Sequence, residues 1–428
     1  MGRPGSLSDF MINKIKVIDT RGFRKEVLVA MGLRIFAVSL LFFMNTIVAR
    51  NLGAEGYGLF NYAIVIAGVM SLFAPLGWPI SVMKLIPQYL DQKHFKLLKG
   101  LIQRSLQVSV VSSFLMSGLL LLLSCFESLS DLSFSLVSAA IFLPFLTIVN
   151  IRSRILRGLH HTKDSIVFDQ ILTPFLMILG VYCLNISNVN NAVLMYSFVG
   201  YAVVIVSGIW LMKQRLPVEV RSTQSAFETK KWFVLALPMA FGSGGQFLID
   251  RIDLIFLGVV ENIETVGFYG AAARVSILLT FVLQTINLVI APKLSSAYHK
   301  GDKMQFKELV RKSMLWSGLS ALPLFVLMIF FSEFLMGLFG HDFREGHAYL
   351  EVLLLGQFAN ACTGSVGIAL MMAGKERQVA YLIGLVLIIN ITLYAVVFPV
   401  WGSIGIAWAT VAGHTLLNVV FYYMVRRL

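Results

Sequence analysis

Apolar residues in this chain come in continuous runs of roughly twenty, each closed by charges, glycine or proline. Six such runs lie between Val27 and Met212 and six more between Trp232 and Val425, with the polar stretch 213–231 between the two sets. About 20 apolar residues at 1.5 Å per residue cross the hydrocarbon layer of a bilayer, whereas the strands of a membrane barrel would alternate apolar and polar over about ten. The pattern therefore predicts an all-α membrane protein of about twelve transmembrane helices. Residues 1–26 carry both charge signs and no apolar core, so they read as a segment preceding the first retained span rather than as a cleaved signal.

Composition agrees with lipid as the main solvent: 57% of the 428 residues are hydrophobic and 13% charged. The net charge of +13 looks at first like that of a nucleic-acid binder, but no polar stretch is long enough to fold as a binding module. Topology explains the charge instead. With the N-terminus in the cytoplasm, 30 of the 35 Lys and Arg fall in successive inner segments, two (Arg50 and Arg344) in outer loops, and three (Arg34, Arg251 and Arg274) inside helices. Every loop then obeys the positive-inside rule, which places both termini in the cytoplasm. Cys125, Cys183 and Cys362 are isolated and form no Cys-x-x-Cys, so they indicate neither a disulfide framework nor a metal site. No phosphate loop, zinc-protease helix or Gly-x-Ser-x-Gly elbow occurs, and no enzyme is expected.

The two sets of runs resemble each other. Leu52-Gly53 followed by Gly56-Tyr57 answers Leu257-Gly258 followed by Gly267-Phe268, and Arg157-Gly158 answers Ala373-Gly374, in the same order. An even number of spans per set gives both the same orientation, related by an axis near the membrane normal. The expected organisation is a six-helix lobe at 27–212, a cytoplasmic linker at 213–231 and a second lobe at 232–428, with a cavity between the lobes.

Ionisable groups at helix depth are costly and tend to face a cavity or a partner. Arg34 and Lys84 in the first set, and Arg251 and Arg274 in the second, bring two cations from each lobe toward the expected cavity. Guanidinium groups supply paired donors suited to phosphate oxygens. Arg34 and Lys84 also suit a plainer role, reaching the inner headgroups. Asp250 and Asp253, three apart in helix seven, share a helix face, with Arg251 pointing about 100° away. A shared face permits a shared H⁺ or Na⁺, and equally permits simple neutralisation of Arg251 or Arg274. Asp169 adds a carboxylate in helix five, and the Leu-Gly alignment sets Asn45 opposite Asp250.

Four segments carry a resemblance to a known family: Arg50-Asn-Leu-Gly-Ala-Glu-Gly-Tyr-Gly-Leu-Phe60, Asp250-Arg-Ile-Asp253, Val266-Gly-Phe-Tyr-Gly-Ala-Ala-Ala273 and Met371-Met-Ala-Gly-Lys-Glu-Arg377. With them the chain resembles the Wzx-type oligosaccharide flippases, in the superfamily that also holds the MATE drug exporters and the lipid II flippases. The resemblance implies a MATE-like fold of two six-helix lobes in the inner membrane. It also implies a cationic central cavity and transfer, by alternating access, of a polyprenyl-pyrophosphate-linked glycan between leaflets among membrane lipids, alongside polysaccharide assembly proteins. The other reading within the superfamily is an ion-coupled drug or cation antiporter, for which an acidic cavity is the natural complement.

Overall fold

The computed structural model describes residues 20–428; most of the expected N-terminal segment, 1–19, lies outside the described residues. The described residues form helices and their connections, with no strand among them. In chain order the helices are α1 (Thr20–Phe73), α2 (Trp78–Asp91), α3 (Phe95–Ser124), α4 (Ser133–Gly158), α5 (Thr162–Cys183), α6 (Val189–Trp210), the short α7 (Val218–Ser222) and α8 (Thr229–Ile249). They continue with α9 (Ile252–Val260), α10 (Ile263–His299), α11 (Lys303–Phe330), α12 (Ser332–Gly337), α13 (His347–Thr363), α14 (Val366–Met372) and α15 (Glu376–Arg426). Among the described residues eight helices are long and apolar enough to cross a membrane, or nine if the bent pair Asp342–Thr363 and Val366–Met372 is one span.

The breaks sit where the backbone chemistry demands them. The 54-residue α1 bends at Gly53 (φ 70°) and the 51-residue α15 bends at Gly402 (φ 58°), a left-handed conformation that glycine adopts without a Cβ penalty. The second apolar run stops at Phe73 and restarts at Trp78 across Pro75 and Gly77, and Pro79 takes a first-turn position where its missing N–H costs nothing. Run seven differs from its expectation. It breaks between Ile249 and Ile252, so Asp250 and Asp253 lie on different helices and do not share a face. The Asp253 carboxylate accepts the backbone N–H of Leu254 at 2.8 Å and places a negative charge at the new N-terminus, which compensates donors freed by the break.

The buried side chains form one shared core and two separate ones. The shared core joins residues of both halves, for example Tyr57, Phe142 and Tyr196 with Tyr269, Phe339 and Tyr394. At the end of the molecule rich in Lys and Arg, a second core is built on Trp78, Ile86, Leu101 and Ile155, while a third, on Ile249, Leu294, Phe306 and Leu370, belongs to the other half. The halves are thus welded at one end and packed separately at the basic end. Helix α8 is the exception: Trp232 at its start donates to the Tyr89 hydroxyl at 2.9 Å and stacks edge-on with Trp78, so it begins in the first half's core although the sequence assigns it to the second lobe. The linker is tied down too, Lys99 donating to the carbonyls of Arg221 and Thr223 at 2.8 Å each.

At the welded end α1 and α10 cross with backbones in contact. A Cβ on Gly58 would overlap the carbonyl oxygen of Ile263 and crowd the Gly267 nitrogen; one on Gly267 would overlap the carbonyl oxygen of Ala54 and crowd the Gly58 nitrogen. Ala54 and Ile263 each stand four residues before their glycine, so the contact is reciprocal, as two copies of one motif make across a two-fold axis. It fixes the pairing of the second arms as Gly58 with Gly267. The expected pairing of Gly56 with Gly267 is two residues out of register, because the connections before the two glycines differ in length. Small residues at such crossings are how membrane helices approach closely enough for dispersion and polar contacts to hold them.

Candidate functional site

One turn beyond the glycine crossing, the α1–α10 seam becomes polar. Asn61 occupies the space that a Cβ on Gly270 would need, and its side-chain carbonyl accepts from Arg274 at 3.4 Å. One turn back on α1, the Tyr57 hydroxyl donates to Asn45 at 3.1 Å and also faces the Arg274 guanidinium. Arg251, in the break between α8 and α9, is half-buried, lies 5.9 Å over the Phe247 ring and faces Arg274. Among the described residues neither guanidinium forms an ion pair with a carboxylate. Asp253 and Asp250 act on Arg251 by charge without a direct ion pair, and Arg274 meets the neutral Asn61 and Tyr57. Two cations held together with so little direct pairing are costly in a membrane interior unless water or an anion is available to them.

The carboxylates are otherwise occupied. Asp253 is 5% exposed and accepts the Tyr269 hydroxyl at 2.7 Å in addition to the Leu254 N–H. Asp250 is half exposed and meets Gln246 at 3.1 Å and the His414 ring at 3.3 Å. Asp169 lies within the first half, in the π-helical segment Val167–Leu172, where it pairs with the buried Arg152 beside Ser165 and Ser207. That pairing gives Asp169 a neutralising role, and it moves Arg152 from the expected loop charge to a buried one.

The structure therefore brings Arg251, Arg274 and Asn45 to one seam, with Asp253 beside it. It does not bring Arg34 or Lys84 into contact with them; both are exposed, on the first arm of α1 and on α2. Sequence reading missed Asn61, Tyr57, Tyr269 and His414. Tyr57 and Asn61 are four apart on one helix, a spacing that puts both on one face, and His414 is an ionisable group ten residues into the last apolar run; these were the available signals. Among the described residues no group of three or more His, Cys, Asp or Glu could hold a metal ion.

The family model for "Polysaccharide biosynthesis protein" matches residues 23–298, which is more than half of the chain and includes the α1–α10 seam. The chain belongs to this polysaccharide biosynthesis family. The related MatE model matches residues 238–396. A relative named "Putative O-antigen transporter" in Shigella flexneri is 24% identical over 84% of this chain and 88% of its own length. One from Haloferax volcanii, named "Probable low-salt glycan biosynthesis flippase", is 22% identical over 88% and 78% respectively. Among solved structures, an inward-facing multidrug MATE transporter of the MOP superfamily superposes with a TM-score of 0.74 at 14% identity, covering 90% of this chain and 93% of that one. That likeness places this member of the family in the MATE-like fold. These two relatives are named as a transporter and a flippase.

Proposed function

We propose that the protein is a flippase that moves a polyprenyl-pyrophosphate-linked oligosaccharide from the inner to the outer leaflet of the inner membrane. The observation that carries the reading is the pair Arg251 and Arg274, two guanidinium groups at the seam between the halves that, among the described residues, form no direct ion pair with a carboxylate. A pyrophosphate is a match in charge and in donor geometry. Membership of a polysaccharide biosynthesis family and relatives named for O-antigen transport and glycan flipping support it.

The reading has twelve spans: the two arms of α1, with α2 completing the second, α3 to α6, α8 with α9, α10, α11, α13 with α14, and the two arms of α15. Both termini then face the cytoplasm and the basic end is the inner end, and in this reading the space between the halves opens there. The halves rock about the glycine crossing while the polyprenyl tail stays in lipid, which requires no phosphoryl chemistry. The drug or cation antiporter reading fits less well, since the unpaired groups at the seam are cationic.

Purified protein in liposomes, given lipid-linked glycan or a cationic dye, separates the two. Glycan exposure on the far leaflet without dye efflux is expected; dye efflux without glycan exposure would overturn the proposal.

A further inference from the structure

The C-terminal half holds a titratable contact that charge compensation alone does not explain. His414, on the second arm of α15, points both ring nitrogens at acceptors: Nδ1 lies 2.9 Å from the Thr410 carbonyl oxygen and Nε2 lies 3.3 Å from Oδ1 of Asp250. The carbonyl can only accept, so Nδ1 carries a proton. A hydrogen bond at Nε2 then needs one proton more, whether it resides on the ring or on the carboxylate. Without it, a ring lone pair faces an anionic oxygen and the contact repels.

Asp250 is the residue at which α8 ends, and Arg251 follows it directly in the break. Whatever holds or frees Asp250 acts next to one of the two unpaired guanidinium groups. We propose that the Asp250–His414 contact is a proton-operated tie. Protonated, it keeps the Asp250 carboxylate on α15 and leaves Arg251 and Arg274 free for an anion. Deprotonated, it releases Asp250 to compete with the anion for those cations, so proton binding and anion binding are positively linked. Imidazole ordinarily titrates between about pH 5 and pH 8, the window in which such a tie is useful. The proposal rests on the flippase reading of the seam and adds a coupling device to it.

The neighbouring ionisable groups allow His414 this role. Facing it are Asp250 and Asp253, with Arg251 between them. Asp253 is held by Tyr269 of α10, whose hydroxyl also lies against Thr410, and Tyr394 of the first arm of α15 bonds the Thr410 hydroxyl at 2.8 Å. From α13, His347 meets the Arg344 carbonyl, Tyr349 meets Ser403 and Glu351 accepts from Ser332, and α14 has no titratable side chain. Asp250 is thus the half-exposed carboxylate in contact with the ring, and its Oδ1 also accepts from Gln246 of its own helix α8.

The test is binding of inorganic pyrophosphate to the full-length protein in detergent across that pH window, comparing wild type with His414→Gln and Asp250→Asn. Pyrophosphate titrates in the same range, so the read-out is the difference between curves. Glutamine donates to Asp250 at every pH and asparagine removes the competing charge, so relative to wild type both variants should hold pyrophosphate about tenfold more tightly at the alkaline end and equally at the acid end. Curves for wild type and both variants that run parallel throughout would overturn the tie while leaving the anion site standing. Wild type that fails to retain pyrophosphate at any pH, or retains it equally after Arg274→Ala, would overturn the anion site itself and the tie with it.

Discussion

The two halves of this protein share a scaffold and differ in the chemistry placed on it. Gly58 and Gly267 meet as equivalents at the crossing, yet the positions around them diverge. Where the first half has Asn61 and Val65, the second has Gly270 and Arg274; where the first has Asn45, Thr46 and Val48, the second has Asp250, Arg251 and Asp253. In the first half a tyrosine holds an amide, Tyr57 to Asn45; in the second a tyrosine holds a carboxylate, Tyr269 to Asp253. Packing thus follows the repeat, while charge follows one copy. At the seam the first half supplies neutral hydrogen-bonding partners such as Asn61, and the second half supplies the charged groups whose state can change.

The largest effect should come from breaking what the halves share. Gly58→Val and Gly267→Val each push a side chain into the partner's backbone, which cannot move as a flexible side chain would. Each should lower stability by about 1–3 kcal/mol or more and abolish glycan export, by thermal unfolding in detergent and complementation of surface glycan. Because the contact is reciprocal, the two should be similarly severe. A mild Gly267→Val beside a severe Gly58→Val would break the symmetry argument.

Next comes the charge that only the second half carries. Arg274→Ala should reduce liposome transport at least tenfold at normal membrane levels, with Arg274→Lys restoring part, since a point charge attracts phosphate without paired donors. Arg377→Ala, on the exposed start of α15, should be nearly silent. Parental transport by Arg274→Ala would remove the asymmetry's functional meaning.

Smaller is the difference between the two tyrosines. Tyr269→Phe removes a hydrogen bond to a buried carboxylate and should cost about 1–3 kcal/mol, whereas Tyr57→Phe removes the donor to the uncharged Asn45 Oδ1, whose NH2 keeps its bond to the Leu41 carbonyl, and should cost about 1 kcal/mol. Equal losses in thermal unfolding would show that the carboxylate is no more dependent on its partner than the amide. Smallest of all, Gly118→Ala in α3, where a Cβ would meet nothing within 4 Å, should be neutral or stabilising by about 0.5–1 kcal/mol; a clear loss would show that glycine matters here for reasons other than contact.

Helix seven shows why part of the site escaped the sequence. Run Trp232–Val259 is apolar enough to read as one span, and nothing local announces a break at Asp250 and Arg251. The break is held by a distant partner, Tyr269, and by Asp253 turned onto its own backbone. Asp169 is similar: its partner Arg152 was legible as a basic residue near a loop, but their pairing depends on how α4 packs against α5.

Sequence alone determined the solvent, the approximate positions of the apolar runs and the list of costly charges inside them, because hydrophobicity and charge act residue by residue and leave a linear record. It also carried the glycines that make close helix crossings. Only the tertiary structure decided which charges meet, that Arg251 and Arg274 converge while Arg34 and Lys84 stay apart, that Asn61 fills the room left by Gly270, and that His414 finds Asp250. Those contacts join residues up to 213 positions apart, and their geometry is set by helix packing and backbone breaks that no local pattern encodes.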